Sequence, residues 1–144
     1  MRNYDRILEI LNLRNIDYKI MTHDDVEYEP EKVAKTLCFG AEGKTYLFVL
    51  KLSDRLDYKK VSRIVGVNRT KIKMLSGDEL GQLGYKRGEV SPIALSPDLN
   101  EFIDEKIFSM EYIFCGCGDS NMSLRIRTKD LPKLTTYDIK EISI

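Results

Sequence analysis

Apolar residues at Tyr4, Ile7, Leu8 and Leu11 recur at helical spacing and predict a helix over residues 3–14, with Asn15 after Arg14 as a left-handed stop. A short strand follows from Tyr18 to Thr22. Residues 35–39 and 45–51 read as two strands around an Ala41-Glu42-Gly43 turn. The second is apolar on both faces, from Tyr46 to Leu50, which places it inside a sheet and not at an edge.

Asp57 is positioned to cap a helix over 58–65, with Leu56 stapled onto Val61 and Gly66 as the stop. Ser76 and Glu79 form a capping-box pair that opens a second short helix, closed by Gly84. Leu99–Ile103 and Tyr112–Cys115 read as strands, Gly116-Cys117-Gly118 as a turn, and residues 123–127 alternate at period two. Thr128 is expected to cap a last small helix ending near Leu134, before a final strand over Ile139–Ile142. Strands and helices interleave irregularly, so the expected architecture is α+β: a mixed β-sheet flanked by short helices.

With 144 residues and no repeat, low-complexity tract or dividing linker, the chain is expected to form one domain over 1–144. Lys+Arg 23 balance Asp+Glu 23, so any attraction to nucleic acid must come from local clustering. Such a cluster exists: Lys59, Lys60, Arg63, Arg69, Lys71 and Lys73 fall in one stretch without a carboxylate. It reads as a phosphate-binding patch or as a solvated helix face followed by a basic loop. No apolar run approaches the ~20 residues that cross a bilayer, and the N-terminus lacks a signal-peptide core, which predicts a cytoplasmic protein without membrane contact.

Three cysteines are an odd count, and Cys115-Gly116-Cys117 has one residue between its thiols where zinc and redox motifs have two or more. Cys38 and Cys115 lie in apolar runs and are expected to be small buried hydrophobes. Neither a metal nor a cofactor is expected. A thiol-based redox or metal protein built on Cys115 and Cys117 ranks far below the other readings.

Two separated signals carry the chemistry. Lys35 opens the apolar stretch Lys35-Thr36-Leu37-Cys38-Phe39, and a glycine-rich turn runs Gly84-Tyr85-Lys86-Arg87-Gly88-Glu89-Val90-Ser91-Pro92. A cation at a strand mouth can hold a phosphate or a polarised carbonyl, and glycines let backbone N–H groups approach a ligand. The plainer readings are a solvated lysine head on a buried stem, a glycine that only makes the turn, and a serine bonding its own backbone.

These motifs, in this order, resemble the YbaK family, the free-standing relatives of the prolyl-tRNA synthetase editing domain. The resemblance rests on Lys35-Thr36-Leu37, Asp54-Arg55-Leu56-Asp57, Lys59-Lys60-Val61, Gly66-Val67, Gly84-Tyr85, Gly88 with Val90-Ser91-Pro92, the Cys115–Gly118 glycine turn and Thr128 with Asp130-Leu131. It runs from about residue 16 to the C-terminus. It implies a YbaK-like single domain and a trans-editing aminoacyl-tRNA deacylase that hydrolyses the ester of a mischarged, prolyl-type tRNA. Lys35 then stands at the catalytic lysine; Gly88, Val90, Ser91 and Pro92 form the substrate-binding turn, and Gly116 and Gly118 a second glycine loop.

An aminoacyl ester is already activated, so orientation of a water or ribose hydroxyl and oxyanion stabilisation supply most of the rate, and no triad is needed. This agrees with a sequence that has no Gly-x-Ser-x-Gly elbow and whose sole histidine, His23, falls at a strand end. The implied partners are the aminoacylated tRNA 3′ end and a synthetase. The alternative is a non-catalytic YbaK-like module that binds tRNA 3′ ends or an amino-acid-like ligand. Where the family commonly has another helix, only Asp24 to Ala34 precedes Lys35, and Glu89 and Ala94 occupy positions that are often small. Facing inward, Glu89 would repel a carboxylate and attract the substrate's ammonium; facing outward, it is surface.

Overall fold

Local signals start and stop the elements as their chemistry requires. Helix α1 (Asn3–Leu13) buries Ile7 and Leu11 on one stripe, and Asn15 at φ 54 turns the chain out of it. Strand β1 (Tyr18–Thr22) follows, then a four-residue helix α2 (His23–Val26). His23 therefore opens a helix; it does not close the strand. The computed structural model describes residues 2–26 and 29–144, so part of the stretch before Lys35, residues 27 and 28, lies outside the described residues.

Strands β2 (Ala34–Ala41) and β3 (Lys44–Lys51) form a hairpin whose register runs from Ala34↔Lys51 to Ala41↔Lys44. Glu42 and Gly43 take φ of 48 and 80, the two left-handed positions of a tight hairpin turn. Helix α3 (Tyr58–Val65) starts where the Asp57 carboxylate accepts the N–H groups of Lys59 and Lys60, and ends at Gly66, φ 72. After the two-residue strand β4 (Lys73–Met74), helix α4 (Gly77–Gln82) opens on the reciprocal Ser76–Glu79 box, and Gly84 at φ 84 follows.

The remaining strands are β5 (Leu99–Asp104), β6 (Tyr112–Gly116), β7 (Met122–Arg127) and β8 (Asp138–Lys140). They complete two sheets where one mixed sheet was expected: an antiparallel β1-β7-β6 and a mixed β4-β2-β3-β5-β8. β3 is central in the larger sheet, parallel to β5 and antiparallel to β2. Its Leu47, Phe48, Val49 and Leu50 are fully buried because both faces are covered. On one face Val49 joins Ile7, Leu11, Ile103, Ile113 and Leu124; on the other Phe48 and Leu50 pack with Phe39 and with Val61 of α3.

Two expectations at the C-terminal end are corrected. The Thr128 hydroxyl does not cap the 3₁₀ helix Thr128–Lys133, because it donates to the carbonyls of Met110 (2.7 Å) and Glu111 (3.3 Å) instead. The last strand stops at Lys140, since Ile142 is drawn into the core and its N–H donates to Asp104 Oδ2 at 3.2 Å. Three 3₁₀ turns lie outside the expected elements although each has a start signal: Pro30 opens Pro30–Lys32, and the Asn68 and Asp104 side chains cap Arg69–Lys71 and Glu105–Ser109.

Candidate active site

The site begins at a gap along one edge of β2. That edge meets β6 only through a parallel bridge, Val33↔Phe114, and meets β4 at Phe39↔Met74 and Gly40↔Lys73. Between these contacts Lys35, Thr36 and Leu37 have no strand partner on this side among the described residues. Continuing the parallel register two residues past Val33↔Phe114 brings Lys35 level with Gly116. Ala34 lies in the central core, so the next residue, Lys35, turns to the opposite face of β2, where Leu37 and Phe39 pack against α3.

Gly116 is met by the glycine turn. A Cβ there would lie 2.1 Å from the Val90 carbonyl oxygen, a contact that only glycine allows. The Val90–Ile93 segment closes across the gap from within, with Val90 packed near Cys38, Leu80 and Tyr85, and Ile93 in the central core. Gly88 takes φ +82 with nothing within 4 Å of a Cβ position, so it makes the turn and leaves open space above it. The turn and Gly116 are thereby joined at one seam from distant parts of the sequence, while Val90 packs against Cys38 on the face of β2 opposite to Lys35.

Each predicted residue has a definite environment. Lys35 is half-buried and its Nζ donates to the Asp54 carbonyl at 2.6 Å. Ser91 is fully buried and its Oγ accepts the Ile93 N–H at 3.1 Å, so the hydroxyl is spent within the turn. Pro92 is buried beside it. The backbone N–H groups of Gly88, Val90 and Ser91 in the turn have no acceptor among the described residues, whereas that of Glu89 bonds to the Lys86 carbonyl at 3.1 Å. Gly118, at φ +86, faces the start of α1, where a Cβ would come within 2.6 Å of the Tyr4 nitrogen.

A cavity of about 340 Å³ opens between the glycine turn and the glycine loop, lined by Arg2, Lys86, Glu89, Gly118 and Asp119 among others. Lys35 and Ser91 are not on its wall. A separate depression of about 250 Å³ beside Tyr112 and Arg125 holds none of the predicted residues. The basic patch divides by partner. Lys60 bonds Glu141 (2.6 Å) and the Ser143 carbonyl (2.9 Å), and Lys71 is 3.6 Å from Glu42. Lys59, Arg63, Arg69 and Lys73 are exposed, and Lys59 and Arg63 share one stripe of α3.

The buried polar groups beneath the turn escaped sequence reasoning. The register aligns Cys38, Leu47 and Glu101 across three strands, and Glu101 is only 3% exposed. Its Oε1 accepts the Thr135 hydroxyl at 2.8 Å, Oε2 has no partner, and burial pushes its pKa up to about 8 against the opposing pull of that hydroxyl. Burial likewise raises the Tyr85 phenol to about 12 and the Cys38 thiol to about 11. It also pushes the thiols of Cys115 and Cys117 up. Among the described residues no group of three or more His, Cys, Asp or Glu side chains is placed to hold a metal ion.

Comparison with known proteins decides the family: the model of the aminoacyl-tRNA editing domain matches residues 22–134. The chain belongs to the aminoacyl-tRNA editing domain family. One similar protein of this kind, the uncharacterised YwhH of Bacillus subtilis (strain 168), is 29% identical over 106 residues, covering 72% of this chain and 66% of that protein's length. Among solved structures, a candidate trans-editing enzyme for prolyl tRNA synthetase superposes with a TM-score of 0.83 at 22% identity, covering 99% of this chain and 97% of its own. The hypothetical protein APE2540 does so with 0.83 at 20% identity, covering 96% and 99%. At such identity these two establish that the chain has the editing-domain fold. No helix among the described residues is long and apolar enough to cross a membrane.

Proposed function

We propose that this chain is an aminoacyl-tRNA deacylase that acts in trans on mischarged tRNA. Family membership supports aminoacyl-tRNA editing in general. The observation that carries the reading to this site is the meeting of Gly116 with the Val90 carbonyl beside a cavity lined by the glycine turn and the glycine loop.

The chemistry follows from what these groups offer. A water or the adjacent ribose hydroxyl adds to the ester carbonyl, and the bond between that carbon and the 3′ oxygen breaks. The tRNA leaves with a free hydroxyl. The uncommitted N–H groups of Gly88, Val90 and Ser91 suit the oxyanion of the tetrahedral intermediate, and a backbone cradle of this kind contributes about 3–4 kcal/mol per well-placed donor. Lys35 spends one donor on the Asp54 carbonyl and keeps the rest of its ammonium for the terminal phosphate or the ester carbonyl. Exposed Lys59 and Arg63 lie on α3, which packs through Val61 on the same side of the sheet as Lys35 and extends the positive surface toward the tRNA. The work is done in the cytoplasm, beside the synthetase that makes the error.

We assign the substrate as a mischarged prolyl-type tRNA. The trans-editing neighbour associated with prolyl tRNA synthetase has this fold across its whole length, which supports the assignment. The test is a panel of mischarged tRNAs, including alanyl- and cysteinyl-tRNA for proline, with loss of the labelled amino acid as readout. Turnover of one or both is expected, and inactivity across the panel overturns the reading.

A second reading is favoured by one observation: the Lys35 ammonium is held by Asp54 and stands off the wall of the cavity. On that reading the chain captures tRNA 3′ ends without turnover, and Lys35→Ala weakens binding with no hydrolysis to lose.

A further inference from the structure

Four charged side chains meet at the cavity between the glycine turn and the glycine loop, and two of them satisfy each other. Arg2 Nη1 lies 3.4 Å from Asp119 Oδ2, and Asp119 Oδ1 also accepts the Asn121 N–H at 2.8 Å. Lys86 and Glu89 are left. They flank Gly88 in one tight turn, closed by the Glu89 N–H on the Lys86 carbonyl, yet their side chains are joined by no ion pair. Glu89 is half-buried and makes no hydrogen bond or ion pair through its carboxylate among the described residues. Its charge is felt at the Cys117 thiol, between the two glycines of the loop, where it adds to the effect of burial. The turn therefore presents one uncompensated anion and one uncompensated cation to a cavity of about 340 Å³, a volume suited to a small polar group.

We infer that Glu89 reads the free α-ammonium of the esterified amino acid, and so restricts the site to aminoacyl-tRNA as against N-acylated forms such as peptidyl-tRNA. The inference takes its ligand, an aminoacyl ester, from the proposed function and adds a determinant of substrate class. An α-ammonium sits one bond from the ester's α-carbon, and Glu89 is next in sequence to Val90, whose backbone meets Gly116 at the seam. Lys86 across the same turn is the complementary site for the phosphodiester that precedes the terminal ribose. An N-acyl group removes the positive charge and adds bulk where the half-buried carboxylate would be left unpaired.

The test uses the full chain and two non-hydrolysable ligands, an RNA minihelix ending in a 3′-amide-linked alanine and its N-acetyl derivative. The parent is expected to bind the free amine about 10- to 100-fold more tightly than the acetylated form, the range for a charge-assisted hydrogen bond. Glu89→Gln should erase that preference by weakening the free amine alone, and Glu89→Asp should restore part of it. Equal affinity of the parent for the two ligands, no binding of the free-amine ligand, or an undiminished preference in Glu89→Gln overturns the inference. Because the readout is binding, a chain that discriminates between these ligands but fails to hydrolyse mischarged tRNA loses the proposed function and keeps this assignment.

Discussion

A Cβ on Gly116 would stand 2.1 Å from the carbonyl oxygen of Val90, so the end of β6 and the glycine turn touch because one residue lacks a side chain. Gly116→Ala must push the turn off the seam. Overpacking of this kind costs about 1–3 kcal/mol, and here it also displaces the backbone proposed to face the ester. Gly88→Ala meets no atom and suffers only its left-handed conformation, about 1–2 kcal/mol. Urea unfolding and single-turnover hydrolysis separate the two: both variants lose stability, but the Gly116 variant loses far more activity. Equal activity losses would remove the seam from the account.

Local chemistry in the sequence reached the elements around this contact but not the contact itself. Asp57, the Ser76–Glu79 box, Asn15 and Glu42-Gly43 act through residues one to four positions away, and the structure realises each of them. The Thr128 hydroxyl misled because its acceptors are 17 and 18 residues distant. The division into two sheets depends on β6 leaving β2 after a single bridge, a tertiary outcome with no periodicity of its own. Lys35 and the glycine turn were legible as motifs; that Ser91 is buried with its hydroxyl spent within the turn was not.

Glu101 makes stability depend on pH. In the folded chain its carboxyl keeps a proton up to about pH 8, while the ordinary value is 4.5, so between these values folding takes up a proton. Stability is therefore greatest below pH 4.5 for this group and falls by about 1.4 kcal/mol per pH unit until it levels above pH 8. Glu101→Gln should flatten that decline and be more stable than the parent at pH 9. Urea titrations at pH 5, 7 and 9 check this, and a parent curve no steeper than that of the variant contradicts it.

The exposed cations should act through salt. Replacing Lys59 and Arg63 with alanine is expected to weaken tRNA binding and to reduce the slope of log K against log salt by about 0.7–0.9 for each phosphate that is no longer neutralised. Lys60→Ala should instead reduce stability, because it releases Glu141 and the Ser143 carbonyl. An unchanged slope in the Lys59/Arg63 double variant excludes α3 from the RNA interface.

Burial holds all three thiols in the neutral form that reacts slowly. The native protein is expected to resist iodoacetamide at pH 7.5, and any modified fraction should track unfolding, which intact-mass measurement across a urea series reads directly. Fast modification of native Cys115 or Cys117 with loss of function would revive the thiol-based reading.

The central claim is that the Lys35 ammonium promotes loss of the amino acid from tRNA. Single-turnover deacylation of alanyl-tRNA for proline by the parent and by Lys35→Ala, compared at matched stability, tests it most directly. The account predicts hydrolysis by the parent and a loss of at least about 100-fold in the variant, the range for removing one group that stabilises developing charge. A variant that hydrolyses the substrate as fast as the parent contradicts it.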